Sequence, residues 1–179
     1  MTTPRLVTPR LCLVPLDTRE LAARMTSADF TLALDGLGLI RFGPDHPGEL
    51  AALYPLLLAA TPHPGQVLGT WTVIHLADRE AVGSAGIKGQ PDEDGAVEVG
   101  YGFIPSHRGQ GLASEALRAV CGALLAGQVP LDRPVTSIAA ETRGDNLASQ
   151  HVLAACGFTH VGERQDDHDG PLLCWTLQG

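Results

Sequence analysis

Along residues 97–103 apolar and polar positions alternate, with Val97, Val99, Tyr101 and Phe103 on one face and Glu98, Gly100 and Gly102 on the other. A period of two is that of a strand. Further on the period lengthens: Leu117, Val120, Cys121, Leu124 and Leu125 fall at i, i+3, i+4, i+7 and i+8, which makes one apolar helical stripe. Between strand and helix lies HRGQGLAS, residues 107–114, a short glycine-rich turn. Upstream, 6–16 (LVTPRLCLVPL) alternates at Leu11, Leu13 and Pro15. It predicts a first strand at a sheet edge, where proline is tolerated. Asp17 or Thr18 can cap a short helix to about Thr26. The stretch from Asp35 to Gly48, with four glycines and two prolines, predicts a loop bordering a substrate cleft. Residues 47–60 carry Leu50, Leu53, Tyr54, Leu57 and Leu58 in helical register, and Pro55 predicts a break within them.

Residues 70–76 and 81–88 predict a hairpin about a turn at 78–80, and QPDEDG at 90–95 turns back into the central strand, so these three strands form an antiparallel meander. After the helix come a strand at 134–140, a helix at 146–155, and two strands at 158–164 and 172–177 around DDHDG. The crossover from 97 to 140 requires at least one parallel pair. The chain is therefore expected to be α+β. It reads as a single domain over 1–179, with a mixed, mainly antiparallel sheet of about seven strands and helices on both faces.

With 179 residues, 44% of them hydrophobic and 18% charged, the composition is that of a globular protein. There is no 18-residue apolar run for a membrane span, and the polar opening MTTPRLVTPR is no secretory leader, so a cytoplasmic protein with no membrane partner is expected. Cys12, Cys121, Cys156 and Cys174 are scattered through predicted elements and read as reduced thiols. DEDG at 92–95 and the DDHDG turn lack calcium-loop spacing, so no metal is expected. A net charge of −8 with Lys88 as the one lysine argues against nucleic acid. An anionic ligand must then be held locally, by backbone amides, while the overall field favours the approach of an amine.

The 107–114 turn suits such an anion. Gly109 and Gly111 let a ligand approach the backbone, and the helix start offers free amides and the positive end of its dipole. A dinucleotide fingerprint fails because Ser114 stands at the third glycine, and the GK[ST] of a Walker loop is absent. Arg108-Gly109-Gln110-Gly111-Leu112-Ala113 instead matches [QR]xxGx[GA]. In this the chain resembles the GCN5-related N-acetyltransferases (GNAT). TPRLCLVPL, EVGYGFIPSHRGQGLASEAL, and Asn146-Leu147-Ala148-Ser149 followed by Cys156-Gly157-Phe158 bring it closest to the branch of ribosomal-protein alanine N-acetyltransferases.

The resemblance implies acetyl-CoA as cosubstrate, its pyrophosphate on the amides of Arg108, Gly109, Gln110, Gly111, Leu112, Ala113 and Ser114. Its pantetheine arm would pair like a strand with Phe103 and Ile104, and a bulge at Gly100 and Gly102 would splay two parallel strands. Tight side-chain packing against those glycines is the alternative. Glu98 is the family's substrate contact or general base, or else a solvated strand residue facing a lysine; His75 is another candidate base. Asn146 reads as an N-cap and, by resemblance, as a cofactor contact. Where many members carry a tyrosine acid this chain has Leu153, which leaves Ser149, Tyr101 or water to assist the leaving thiolate. The expected activity is acetyl transfer to a primary amine of a peptide or small molecule, by a monomer or homodimer; a silent acyl-CoA-binding module is the alternative.

Overall fold

The computed structural model describes residues 3–60 and 66–179, so Met1 and Thr2 of the polar opening lie outside the described residues. The opening stretch, expected as one strand, is two, β1 (Leu6–Val7) and β2 (Leu11–Asp17), paired antiparallel. Thr8 makes the turn between them, its Oγ1 accepting from the Leu11 amide at 3.0 Å. Because β1 pairs only with Cys12 and Leu13, it leaves the half of β2 carrying Pro15 uncovered on that side, which suits a residue without an N–H. Asp17 caps α1 (Thr18–Thr26), accepting from the amides of Arg19 and Glu20 at 2.8 and 3.1 Å.

The expected loop at Asp35–Gly48 is in large part a hairpin. β3 (Phe30–Leu34) and β4 (Gly38–Phe42) pair along their whole length, and Phe30 stacks on Phe42 with ring centroids 4.8 Å apart. Gly36 and Gly38, which suggested irregular chain, take φ of 72° and 70°, as a tight hairpin turn requires. Pro55 acts as foreseen: a 3-10 turn at Gly48–Leu53 gives way to α2 (Tyr54–Ala60), with the proline in the first turn, where no N–H is needed.

The meander of β5 (Gln66–His75), β6 (Glu80–Ile87) and β7 (Ala96–Phe103) follows, then α3 (Leu112–Leu125), β8 (Ser137–Arg143), α4 (Leu147–Ala155), β9 (Thr159–Asp166) and β10 (Gly170–Gln178). The sheet order is β1-β2-β5-β6-β7-β8-β10-β9, with the β3–β4 hairpin joined to β6 through β4, ten strands in all among the described residues. The excess over the expected seven is the split first strand and that hairpin. Nearly every pairing is antiparallel; β7–β8 and a single β4–β6 pair are parallel.

One core lies between the sheet and α3 and α4, built on Leu11, Leu13, Trp71, Val97, Val99, Leu117, Val120, Leu124 and Leu153. On the other face Cys12, Ile74, Ile40 and Phe42 pack under the hairpin, and Leu16, Leu21, Tyr54 and Val67 under α1 and α2. Helices therefore cover both faces, as expected. Between these clusters Glu20 is buried, accepting from Tyr54 Oη at 2.8 Å and Thr72 Oγ1 at 2.5 Å and facing His46 Nε2 at 3.0 Å. A buried carboxylate persists only with such partners, and burial beside it pushes the Tyr54 hydroxyl well above its ordinary pKa. No helix among the described residues is long and apolar enough to cross a membrane.

Candidate functional site

β7 and β8 run together for three pairs only, Ala96↔Ser137, Val97↔Ile138 and Glu98↔Ala139. Beyond Glu98, β7 stays with β6, from Ile87↔Val99 to Gly83↔Phe103, while β8 stays with β10. A wedge opens between them. The β6–β7 register is unbroken across Gly100 and Gly102, so the wedge comes from diverging strands and not from the bulge the resemblance implied. A Cβ on Gly102 would meet nothing within 4 Å, and one on Gly100 only Lys88 Cε at 3.2 Å. This face is open, which removes tight packing as the reason for Gly102.

The glycine-rich turn closes the wide end of the wedge. Gly109 and Gly111 take φ of 73° and 75°, a left-handed conformation that costs other residues about 1–2 kcal/mol. Gly111 is the N-cap of α3 and brings no side chain to it. The first amides of an α-helix have no intrahelical partner, so here they stay available to an anion, with the dipole's positive end behind them. Leu112 is buried at the start of α3 and Ala113 packs on the core; what these two offer a ligand is backbone. Arg108 turns back, its Nε donating to Phe103 O at 2.8 Å. Gln110 Nε2 donates to Ser106 O at 3.2 Å. Phe103 and Ile104 are buried, at the end of the β7 edge that β8 has left.

Sequence reasoning missed a clamp on this turn. Arg10, in the β1–β2 turn, donates through one terminal nitrogen to Gln110 O at 2.9 Å and through Nε to Glu115 Oε2 at 2.7 Å. The Arg10 amide and Thr8 Oγ1 donate to Glu115 Oε1 at 3.0 and 2.6 Å. Partial burial raises the Glu115 carboxyl, but the bonds from Thr8 and Arg10 more than offset this and hold it below its ordinary range. An acid in the first turn of α3 was legible in the sequence; that residues 8 and 10 would meet it was not.

On the core side of β7, Tyr101 reaches across to α4, its hydroxyl donating to Ser149 O at 3.2 Å. Burial pushes this hydroxyl up to about 12. Asn146 caps α4, its Oδ1 accepting from the Ser149 amide at 3.1 Å. Tyr101, Asn146 and Ser149 thus form one chain of contacts at the side of the wedge, to which α4 is also tied through Cys156 Sγ donating to Ser114 O at 3.5 Å. Leu153, in the family's tyrosine place, is fully buried in the main core.

Glu98 is not part of that chain. It lies on the opposite face of β7, its Oε1 accepting from Lys88 Nζ at 2.5 Å, the lysine-facing arrangement that was the alternative to a catalytic role. Beside this pair stand Glu141 of β8 and Arg164 of β9, 2.5 Å apart across β10. His75 lies at the other end of the sheet, near the last residues of β7, where its Nδ1 is 2.7 Å from Asp78 Oδ2. Two cavities, of about 190 Å³ beside Asp17, Arg19 and Asp35 and about 660 Å³ along 127–135, lie away from the wedge.

A mixed sheet split between two parallel strands, with a glycine turn and an uncapped helix at the split, defines a class of protein. Residues 10–159 match the acetyltransferase (GNAT) domain model, and the chain belongs to the GNAT acetyltransferase family. It is 29% identical to the FsC-acetyl coenzyme A-N(2)-transacetylase of Aspergillus fumigatus over 181 residues, covering 94% of this chain and 70% of that protein. It is 34% identical to the uncharacterized N-acetyltransferase YjdG of Bacillus subtilis over 89 residues, a match that spans half of each chain. Among solved structures it resembles a RimL ribosomal L7/L12 α-N-protein acetyltransferase in complex with coenzyme A, with a TM-score of 0.64 over 99% of this chain and 98% of that one. At 16% identity that likeness is one of fold.

Proposed function

We propose that the chain, acting as one domain, transfers an acetyl group from acetyl-CoA to a primary amine by direct attack within a ternary complex. The observation that carries this reading is the wedge between β7 and β8 ending on an α3 N-terminus with no side-chain cap. On this reading the amides of 108–114 hold the pyrophosphate and the pantetheine arm pairs with the vacated edge of β7 at Phe103 and Ile104. Asn146 borders the cofactor, and the thioester comes to lie near Tyr101 and Ser149. A phenol near 12 is too weak an acid to protonate a thiolate whose ordinary pKa is about 8.5. Tyr101 could then act only as a hydrogen-bond donor, by giving up the bond its single proton makes to Ser149 O, and the Ser149 hydroxyl is the second donor within reach.

The amine must be neutral to attack. At pH 7 an α-amino group of pKa about 7.7–8.0 is roughly 10–15% neutral, and a lysine of pKa about 10.4 under roughly 0.1%. That difference, about 3–4 kcal/mol, favours an N-terminal α-amine where a single modest base such as Glu98 is at hand. Glu98 and Glu141 flank the open face, each already paired with a cation, Lys88 and Arg164. Glu98→Gln separates the two roles of this residue: a general base loses about 10²-fold in turnover, less at higher pH, whereas a positioning residue loses the same at every pH.

The function is tested by release of free thiol from acetyl-CoA in the presence of peptides with free N-termini, N-terminally blocked peptides containing lysine, polyamines, aminoglycosides and amino acids. Free N-terminal peptides are expected to be the best acceptors. Release with none of these amines would favour the silent acyl-CoA-binding module, for which the observation is Leu153 buried where many family members carry a tyrosine acid.

A further inference from the structure

Three side chains that neither the cofactor nor the acceptor reading uses converge where the β5–β6 turn meets the 3-10 turn Pro105–His107, just before the glycine loop. Asp78 Oδ2 lies 2.7 Å from His75 Nδ1 and 3.0 Å from His107 Nε2, and the two imidazoles sit edge to face with centroids 5.5 Å apart. One ligand atom from each falls within 4.8 Å of the others. We propose that His75, Asp78 and His107 form a binding site for a zinc-class divalent cation that fastens the β5–β6 turn to the base of the glycine loop. The chemistry of the donors selects it: two neutral imidazole nitrogens and one carboxylate oxygen suit Zn²⁺, whose tetrahedral shell takes three protein ligands and leaves one position for water.

Four features fit. His75 and His107 are mostly buried, with side chains 15% and 10% exposed, so their positions are held by the fold. Asp78 is 51% exposed on the turn and is free to withdraw. Zinc bonds of about 2.0–2.2 Å set tetrahedral ligand atoms roughly 3.3 Å apart, so the carboxylate must retreat by a few tenths of an ångström and the two nitrogens, which lie within 4.8 Å of each other, must close by up to about 1.5 Å. Ser106 Oγ lies 3.0 Å from His107 Nδ1. It can donate to that nitrogen without the cation and accept from it once Nε2 coordinates, the outer-shell contact that orients metal-bound histidines. The carboxylate already sits where it neutralises half the cation's charge.

The test is on the full chain, stripped with chelator and titrated with ZnCl₂ by calorimetry and thermal unfolding, without acetyl-CoA. One equivalent is expected to bind, and at about 100 times Kd the Tm is expected to rise by roughly 5–10 °C. His107→Ala and, should that variant fold poorly without metal, Asp78→Ala on the exposed turn are expected to lose the rise, and Ser106→Ala to weaken binding by about 10-fold or more. CoCl₂ is expected to give visible absorption without thiolate charge-transfer bands, which separates this site from Cys12, Cys121, Cys156 and Cys174. No stoichiometric binding, a Tm rise that survives both His107→Ala and Asp78→Ala, or thiolate bands with Co²⁺ would each overturn the proposal.

Discussion

Helices α3 and α4 pack together on one face of the sheet, yet they begin in opposite ways. α4 starts on Asn146, whose side chain accepts from the Ser149 amide at 3.1 Å, and α1 starts likewise on Asp17. α3 starts on Gly111, left-handed and without a side chain. A glycine N-cap falls short of the first kind by roughly a few tenths of a kcal/mol, so the longest helix of the described structure forgoes a little stability that its neighbours take. Its own first-turn carboxylate, Glu115, would repel an anion there, but Arg10 and Thr8 engage both of its oxygens. Stability is built into α1 and α4; the start of α3 is kept open and positive.

Four experiments press on this contrast, from the largest expected effect to the smallest. Gly111→Glu puts bulk and negative charge at the open helix start and is expected to abolish the acetyl-CoA-dependent rise in Tm while leaving cooperative unfolding. The same rise as in the unmodified chain would place the cofactor elsewhere. Ser149→Ala isolates one hydroxyl, because the bonds that Ser149 makes to Asn146 and Tyr101 run through its amide and carbonyl and alanine keeps both. If the hydroxyl assists thiolate departure, kcat and kcat/KM fall together by about 10-fold, the scale of one hydrogen bond; a rise in KM alone would make it a substrate contact. Asn146→Ala is expected to cost about 1 kcal/mol, or roughly 2–4 °C in Tm, with acetyl-CoA affinity nearly unchanged. An affinity loss well beyond the stability loss would show that Asn146 touches cofactor as well as capping α4.

The smallest effect is in pH. The Glu115 carboxyl is held below its ordinary value in the folded protein, so the clamp contributes stability above the unfolded pKa of about 4.3. This is lost only as pH falls through the lower folded value. The acetyl-CoA-dependent Tm rise is thus expected to persist from pH 7 to pH 5, measured by thermal shift. A collapse of that rise near pH 6 would show that some other group governs the loop.

Legibility followed the range of each interaction. β7 and α3 were visible because a period of two and a period of 3.6 belong to consecutive residues, and the glycine turn because its conformation is a property of Gly109 and Gly111 themselves. The Asn146 cap and the break at Pro55 were visible for the same reason. The β3–β4 hairpin was hidden because glycines 36 and 38 serve a tight turn as readily as a loop, and only the stacking of Phe30 on Phe42 decides between them. Glu98 was assigned its face correctly by alternation, but its partner, Lys88, sits across a hairpin whose exact register the composition does not specify.

The sequence by itself determined the order of elements from β5 to β10, the parallel crossover, the family, and the glycine turn before α3, all of which rest on local periodicity, backbone preference and spacing. Tertiary structure alone decided that β7 and β8 part after three pairs without a bulge, that Arg10 and Thr8 reach Glu115 across more than a hundred residues, that Glu20 is buried among Tyr54, His46 and Thr72, and that His75, Asp78 and His107 meet. Each of these joins segments distant in the chain, and polar side chains carry no periodic mark of the partner they will find once the apolar faces have packed.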